Sequence, residues 1–374
     1  MPASKYNIEC LATQVVKICN QKSALTKTKI VMKFFSKILV WLSLSSLFFA
    51  YGCGGDAQQS LIVYTTHGED LFQKFIEKFE AENPNVIVEV VDMGSQEVLD
   101  RIRSEKANPQ ASLWWGAPAP LFMQAVDEGL LQAYRPSWAD QVDAVYHDPN
   151  DFWYGNFLTP EVIGYNTDKL TLETAPQDWD DLIKPEWKDR IVIRNPMASG
   201  TMRAIYISQI LRFYGDEKNT EQGFEWLRKL DANTASYAAM PTLMYEKLAR
   251  GGGEVTLWNM PDMMLQKNDN GYPFGYIIPK SGTVVVTDCM GIVANAKAPE
   301  LAKKFYEFVT SEESMIRQAV ENYRIPSRKD IPKEKLPEWM REPINVTPVD
   351  WKIFAEKSEE WMRHWDENIR SQEK

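Results

Sequence analysis

The chain has 374 residues, 44 % of them apolar, with 13 Trp, 15 Tyr and a formal net charge of −10. That length and apolar content suffice for two packed domains and exclude a disordered chain. The acidic balance, with no basic block, excludes nucleic acid as a partner.

The first residues form a targeting segment. Lys33 and Lys37 precede the apolar run 38–50, ILVWLSLSSLFFA, which leads into Tyr51, Gly52 and Cys53. A basic stretch, a short apolar core and small residues before a cut site describe a secretory signal. The run is too short and too Ser-rich for a comfortable membrane span. Residues 50–53, Ala-Tyr-Gly-Cys, resemble a bacterial lipobox, which would put a lipid on Cys53. Residues 1–31 have no periodic pattern, and Met32-Lys33 makes the better start, so 1–31 are read as an over-extended start and 1–52 as signal region. Residues 53–60 then form a Gly- and Gln-containing tether. Of Cys10, Cys19, Cys53 and Cys289, the last two alone follow the signal. The exported part therefore has no disulfide, and Cys289, inside an apolar run, is expected to be a buried thiol.

In chain order, 61–65 is a strand that ends in the loop Thr65, Thr66, His67 and Gly68. Leu71, Phe72, Phe75, Ile76 and Phe79 follow at helical spacing, and Asn83-Pro84 stops that helix. Strand 86–91 leads to a helix opened by Gly94-Ser95, with Val98, Leu99 and Ile102 inward. Strand 111–115 ends at Trp114, Trp115 and Gly116. Leu121, Phe122, Ala125 and Val126 mark the next helix, closed by Gly129. This alternation predicts a parallel sheet with covering helices. Ligands bind beyond the carboxyl ends of such strands, which places His67, Ser95, Trp115 and Gly116 on one rim.

The middle of the chain repeats the pattern. Strands are expected at 161–165, 190–194, 254–258, 274–278 and 283–294. Helices are expected at 178–183, after Ser199, over Phe224, Leu227 and Leu230, at 241–250, and over Leu301 to Val309. The last segment, Trp351 to Ile369, is a long amphipathic helix with a Trp stripe that reads as core packing.

The stretch 190–205, RIVIRNPMASGTMRAI, carries the leading ligand-site candidate. A β-branched strand ends at Asn195-Pro196, and Ser199-Gly200-Thr201 opens a helix. A helix start offers unpaired N–H groups and the positive end of its dipole. Gly200 admits a ligand to the backbone, the hydroxyls can donate, and Arg203 adds charge. The same string also serves as an ordinary cap. No Gly-rich nucleotide fingerprint follows a strand, and neither a Gly-x-Ser-x-Gly elbow nor a helical His pair is present.

These residues resemble the family 1 extracellular solute-binding proteins, the capturing parts of bacterial ABC importers, including the ferric-iron, thiamine and phosphorylated-solute group. The matching strings are VYTTHGEDLFQKFIEKFEAENP at 63–84, NPQASLWWGAPAPLF at 108–122, DWDDLIKPEWKDRIVIRNPMASGTMR at 178–203 and FYEFVTSEES at 305–314. The resemblance implies an α/β fold of two lobes, the type II periplasmic-binding-protein clamshell with hinge strands. Residues 61–158 plus 284–374, with the C-terminal helix, would form lobe 1, and 159–283 lobe 2. Hinge strands are expected near 159–166 and 283–291. The implied function is capture of one small solute and its delivery to a permease and ATPase, by a protein lipid-anchored outside the cytoplasm.

Iron-binding members carry two adjacent Tyr after the strand that matches 254–258. This chain has Trp258, Asn259, Met260 and Pro261 there, and Gly116, Ala117 and Pro118 where some members carry a carboxylate. His67 is the one metal candidate, a poor match for hard Fe³⁺ by itself. The favoured cargo is thus an organic or phosphorylated anion, or an iron(III)–anion complex. Direct ferric-iron binding is the alternative, with iron as cargo and no cofactor. The expected ligand contacts are Thr66, His67, Trp115, Gly116, Ser199, Gly200, Thr201, Arg203, Trp258, Asn259 and Asp262. Tyr154 is read either as part of an aromatic cleft wall or as hinge packing, His67 as a contact or a helix cap, and Asp262 as a contact or a first-turn acid. Of Trp114 and Trp115, one is expected in the core and the other in the cleft, because strand neighbours alternate. No enzyme is expected. An exported hydrolase pairing Ser199 or Thr201 with His67, or a sensor-kinase receptor, would use the same cleft.

Overall fold

The computed structural model describes residues 58–370; the signal region, the lipobox and Cys53 lie outside them. The chain from Gln58 onward forms one compact unit. Its first half alternates β1 (Gln59–Thr65), α1 (Glu69–Glu82), β2 (Val86–Asp92), α2 (Ser95–Ser104), β3 (Leu113–Pro118) and α3 (Ala119–Asp127). Strand β1 pairs in parallel with both β2 and β3. Helix α1 ends where expected, at Asn83 before Pro84, because proline cannot continue the ladder. Short β4 (Leu131–Gln132) follows, and then the long β5 (Tyr154–Asn166).

The second half holds β6 (Ile191–Arg194), α4 (Gly200–Tyr214), α5 (Glu221–Asn233), β7 (Thr234–Ala238), α6 (Pro241–Ala249), β8 (Val255–Asn259), α7 (Met260–Asn268) and β9 (Phe274–Ile277). Here β6 runs parallel to β7 and β8. Strand β7 was not anticipated, because TASYA is only five residues long and two of them carry hydroxyls on small side chains. The expected helix at 178–183 is a single 3₁₀ turn, Trp179–Asp181. Strand β10 (Val285–Val293), α8 (Pro299–Val309), α9 (Glu312–Asn322), β11 (Ile325–Pro326) and α10 (Trp351–Asn368) complete the chain.

The strand order is β2-β1-β3-β10-β5-β8-β6-β7. Strand β5 joins the halves. Its residues up to Pro160 pair with β10 and β11, and from Glu161 onward they pair with β8 and β9. The change of partners falls inside the stretch 159–166 expected to cross between lobes, and β10 lies beside it.

In the first half, cores cover both faces of the sheet. Leu61, Val63 and Trp115 pack with α1 and α8, while Tyr64 and Trp114 pack with α2 and α3. The second half has its own core, and α10 belongs to it: Trp365 meets Tyr206 and Tyr237 edge-on, and Trp361 meets Tyr214. The C-terminal helix, expected in lobe 1, thus packs its aromatic stripe on the second half. Its opposite side reaches α3, where the Gln124 amide donates to the Ala355 carbonyl at 2.9 Å. Helix α10 therefore straps the two halves, with its aromatic stripe on the second. Its partner was not readable from periodicity, which fixes a buried face and not what covers that face.

Candidate functional site

A cavity of about 430 Å³ opens between the halves, at the carboxyl ends of the parallel strands. Its wall includes Gly68, Ser95, Ser199, Gly200, Thr201, Pro241, Thr242 and Asn259, so the starts of α1, α2, α4, α6 and α7 all face it. First-turn amides lack an intrahelical acceptor, and the dipoles add positive potential there. Ser199 caps α4 by accepting from the Met202 amide at 3.2 Å, which leaves the Gly200 and Thr201 amides at the cavity wall.

The halves touch at this point. A Cβ on Gly200 would lie 2.7 Å from both Pro118 Cδ and Ser95 Oγ. A Cβ on Gly94 would overlap the Ala198 carbonyl oxygen. Glycine at these two positions is what lets the starts of α2 and α4 approach across the cleft.

Arg194, at the carboxyl end of β6, supplies the fixed charge. It is buried and borders the cavity, and among the described residues it makes one long hydrogen bond, 3.5 Å to the Ala238 carbonyl. Most of its guanidinium donors are thus uncommitted. Asp92 and Glu97 stand on the same rim, and burial with the nearby Glu97 pushes the Asp92 carboxyl up to about 6.

The opposite wall is built on the β5–β10 pair. Thr159 and Glu161 share one face of β5, and Thr159 Oγ1 donates to Asp288 on β10 at 2.5 Å. Asp262 closes a second network. It accepts from Trp258 Nε1 at 3.0 Å, Asn259 Nδ2 at 2.9 Å and Tyr245 Oη at 3.2 Å, and pairs with Arg324 at 2.8 Å. Glu161 is completely buried, borders the cavity, and has no hydrogen-bond partner among the described residues on either carboxylate oxygen. His67 Nε2 and Arg324 Nε, on the same wall, are likewise buried without partners. Unpartnered buried polar groups are costly, and Glu161 is the carboxyl among them that a ligand in the cavity could complete, since His67 Nε2 points at Gly116. Burial, helped by the charges of Asp288 and Asp262, holds the Glu161 carboxyl well above the usual range. Burial also raises Asp288 to about 6 and, with Arg324, pushes His67 well below the usual imidazole value, so that this ring is neutral.

The expected contacts divide. Thr66, His67, Ser199, Gly200, Thr201, Trp258, Asn259 and Asp262 border the cavity. Asn259 and Asp262 do so with their polar atoms spent on each other and on neighbouring side chains. His67 is no cap, since Gly68 holds the N-cap position of α1.

Trp115 is a correction. It and Trp114 are both fully buried, on opposite sheet faces, because helices cover both sides. Gly116 is another: at φ 90° it forms a bulge in β3, and the His67 ring occupies the space above it, with a Cβ there excluded. Arg203 is a third. It is buried behind the rim, where it donates to the Met197 carbonyl at 3.2 Å. Tyr154 packs on Trp138 and His147 rather than lining the cleft.

Sequence reasoning missed Arg194, Glu161, Asp288 and Arg324. For the first three a signal existed: each is a charge within or at the end of an otherwise buried strand, in IVIR, TPEVIGY and VVTDCMGIV. Charges survive in such strands when they are paired or functional.

A family model described as bacterial extracellular solute-binding protein matches residues 117–357. The chain belongs to this family. This binding protein is 26 % identical over 316 residues to a probable ABC transporter periplasmic-binding protein of Sinorhizobium fredii, across 83 % of its own length and 87 % of the relative's. It is 24 % identical over 348 residues to a putative 2-aminoethylphosphonate-binding periplasmic protein of Salmonella typhimurium, covering 87 % and 93 %. Its fold matches the periplasmic binding protein AfuA from Actinobacillus pleuropneumoniae, solved with fructose-6-phosphate bound. The TM-score is 0.74 at 23 % identity, over 84 % of this chain and 99 % of that one. The fold is the two-lobed α/β binding-protein fold expected from the sequence. The function is that of the extracytoplasmic solute-binding component of an ABC importer, which binds a small ligand and works with a permease and an ATPase.

Proposed function

We propose that this binding protein captures a small organic anion bearing a phosphate, phosphonate or carboxylate group. The anionic end rests on the starts of α2 and α4, where Arg194 holds uncommitted donors beside the Gly200 and Thr201 amides. That arrangement is the observation that carries the reading. The neutral His67 ring is the natural acceptor or donor for a polar group deeper in the cleft.

Direct ferric-iron binding is disfavoured on residue chemistry. Among the described residues no group of three or more His, Cys, Asp or Glu side chains is placed to share a metal. The Tyr245 hydroxyl is engaged by Trp258 and Asp262, and burial raises its pKa, so it is held as a phenol rather than a phenolate. The reading is also non-catalytic. The Ser199 hydroxyl accepts the α4 cap bond and His67 Nε2 has no partner among the described residues, so His67 is not poised as a base on Ser199. We further assign Cys53 as the lipid anchor that tethers the protein to a membrane. A Cys53→Ser variant should move from the detergent phase to the aqueous phase on phase partitioning.

Calorimetric titration with organic phosphates, phosphonates and carboxylates, alongside Fe³⁺ and Fe³⁺–citrate, tests the assignment. The expected result is one site for an organic anion. Tight binding of Fe³⁺ alone would overturn it.

A further inference from the structure

We propose that the β5–β10 end of the cleft is a cation subsite, in which Glu161 and Asp288 receive an ammonium group, so that the captured solute is a zwitterion with its anionic end on Arg194 and the α4 start. This rests on the anion reading above and adds the chemistry of the other end of the ligand.

The first support is a charge count in place. Asp262 is matched by Arg324 at 2.8 Å and by three further donors. Its charge and its lone pairs are spent within the protein. Asp288 has the Thr159 hydroxyl on one oxygen, and Glu161 has nothing on either. At the β5–β10 end of the cavity, two carboxyl groups therefore stand with no cation assigned to them among the described residues. An ammonium carries three donors and no acceptor, which suits the two Glu161 oxygens and the free Asp288 oxygen.

The second support is position. Register puts Thr159 opposite Val286 on β10, with Asp288 opposite Phe157. The pairing register then slips immediately past Asp288, on both its β5 and its β3 side. Bulges re-aim side chains beside binding sites. The carboxyls thus sit on β5, which joins the halves, and on β10 beside it, bordering the same cavity as the helix starts. A rigid scaffold there reads the distance between a ligand's two charges.

The inference also predicts a proton. The charged groups around Glu161 are Asp288 on β10, Asp262 on α7 and Arg324 just before β11, while the neutral His67 shares the cavity. Burial among them pushes the empty Glu161 carboxyl well above the usual range, toward its protonated form. An arriving ammonium favours the carboxylate, and the carboxyl proton leaves to solvent, so cation capture releases a proton.

The test uses purified full-length protein and matched probes: ω-aminoalkyl phosphonates of one to four carbons and their ω-hydroxy counterparts. Calorimetry at pH 7.5 should show the best amine binding about 100-fold tighter than its hydroxy partner. Repeating the titration in buffers of different ionisation enthalpy should show proton release for the amine that the hydroxy compound lacks. Glu161→Gln should cut the amine-over-hydroxy ratio at least tenfold. Should that variant fail to fold, the wild-type ratio and the proton count decide alone. Equal or tighter binding of the hydroxy compound overturns the cation subsite and leaves the anion reading standing. Selective binding of Fe³⁺–citrate that depends on Glu161 also overturns it, by giving those carboxyls another cargo. Binding of none of the phosphonates, nor of the wider anion panel, removes the anion reading itself.

Discussion

Gly200→Ala should strengthen the empty protein and weaken its grip on ligand. Gly200 is the first residue of α4, and its backbone needs no positive φ. Alanine is therefore compatible locally and favours the helix by up to about 1 kcal/mol. Across the cleft the added methyl lies 2.7 Å from Pro118 Cδ and from Ser95 Oγ. Carbon–carbon contacts are relaxed at roughly 3.5–4.0 Å, so about 1 Å of separation must be found. The proline ring cannot rotate away. Overpacking of this size costs about 1–3 kcal/mol. An open cleft escapes the cost and a closed one does not, so the penalty falls on ligand-induced closure. It corresponds to an affinity loss of roughly 5- to 150-fold. Calorimetry with whichever panel anion binds the wild type gives the affinity, scattering with and without that anion gives the compaction, and thermal melting gives the stability of the empty protein. Wild-type affinity within twofold, together with wild-type compaction, would show that the two helix starts do not carry closure. An equal loss of melting stability and affinity would place the clash in the resting fold instead.

Other outcomes follow from the same geometry. Arg194→Gln should weaken anion binding at least tenfold with a small change in melting temperature, whereas Arg203→Gln, behind the rim, should lower melting more than affinity. Equal affinity losses would put Arg203 back among the anchors. Asp262→Ala should cost about 3 kcal/mol in urea unfolding, because it strands Arg324 with Trp258, Tyr245 and Asn259; a loss under about 1 kcal/mol would deny the network its role. Asp288 is pushed up to about 6 by burial, so the folded protein holds this proton more tightly than the unfolded chain does. Its penalty is absent below about pH 4, grows as pH rises through 4 to 6, and levels off at about 3 kcal/mol. Asp92 titrates in the same window and is retained in the variant. Asp288→Asn should thus match the wild type at pH 4 and exceed its stability by about 1–3 kcal/mol at pH 7.5, as read by urea unfolding at both; the same difference at both pH values would contradict this.

The order of strands and helices and the helix starts facing the cleft were legible in the sequence. Both depend on neighbours in the chain. Periodicity, Asn83-Pro84 and Ser199-Gly200-Thr201 are local signals, and a parallel sheet places its ligand edge by rule. The tertiary structure alone decided which polar groups reach the cavity. Trp115 and Trp114 alternate as expected, yet helices on both sheet faces bury each of them. Arg203 and Arg194 lie nine residues apart in one stretch, and packing alone puts the second at the cavity and the first behind it. The aromatic stripe of α10 announced a buried face, while its partner lay some 150 residues back along the chain, at Tyr206 and Tyr214. Glu161, Asp288 and Arg324 come from three separate segments, and no spacing in the sequence links them. Their meeting at one cavity is a property of β5 joining the halves beside β10, because burial and Coulomb interactions depend on distance in space and not along the chain.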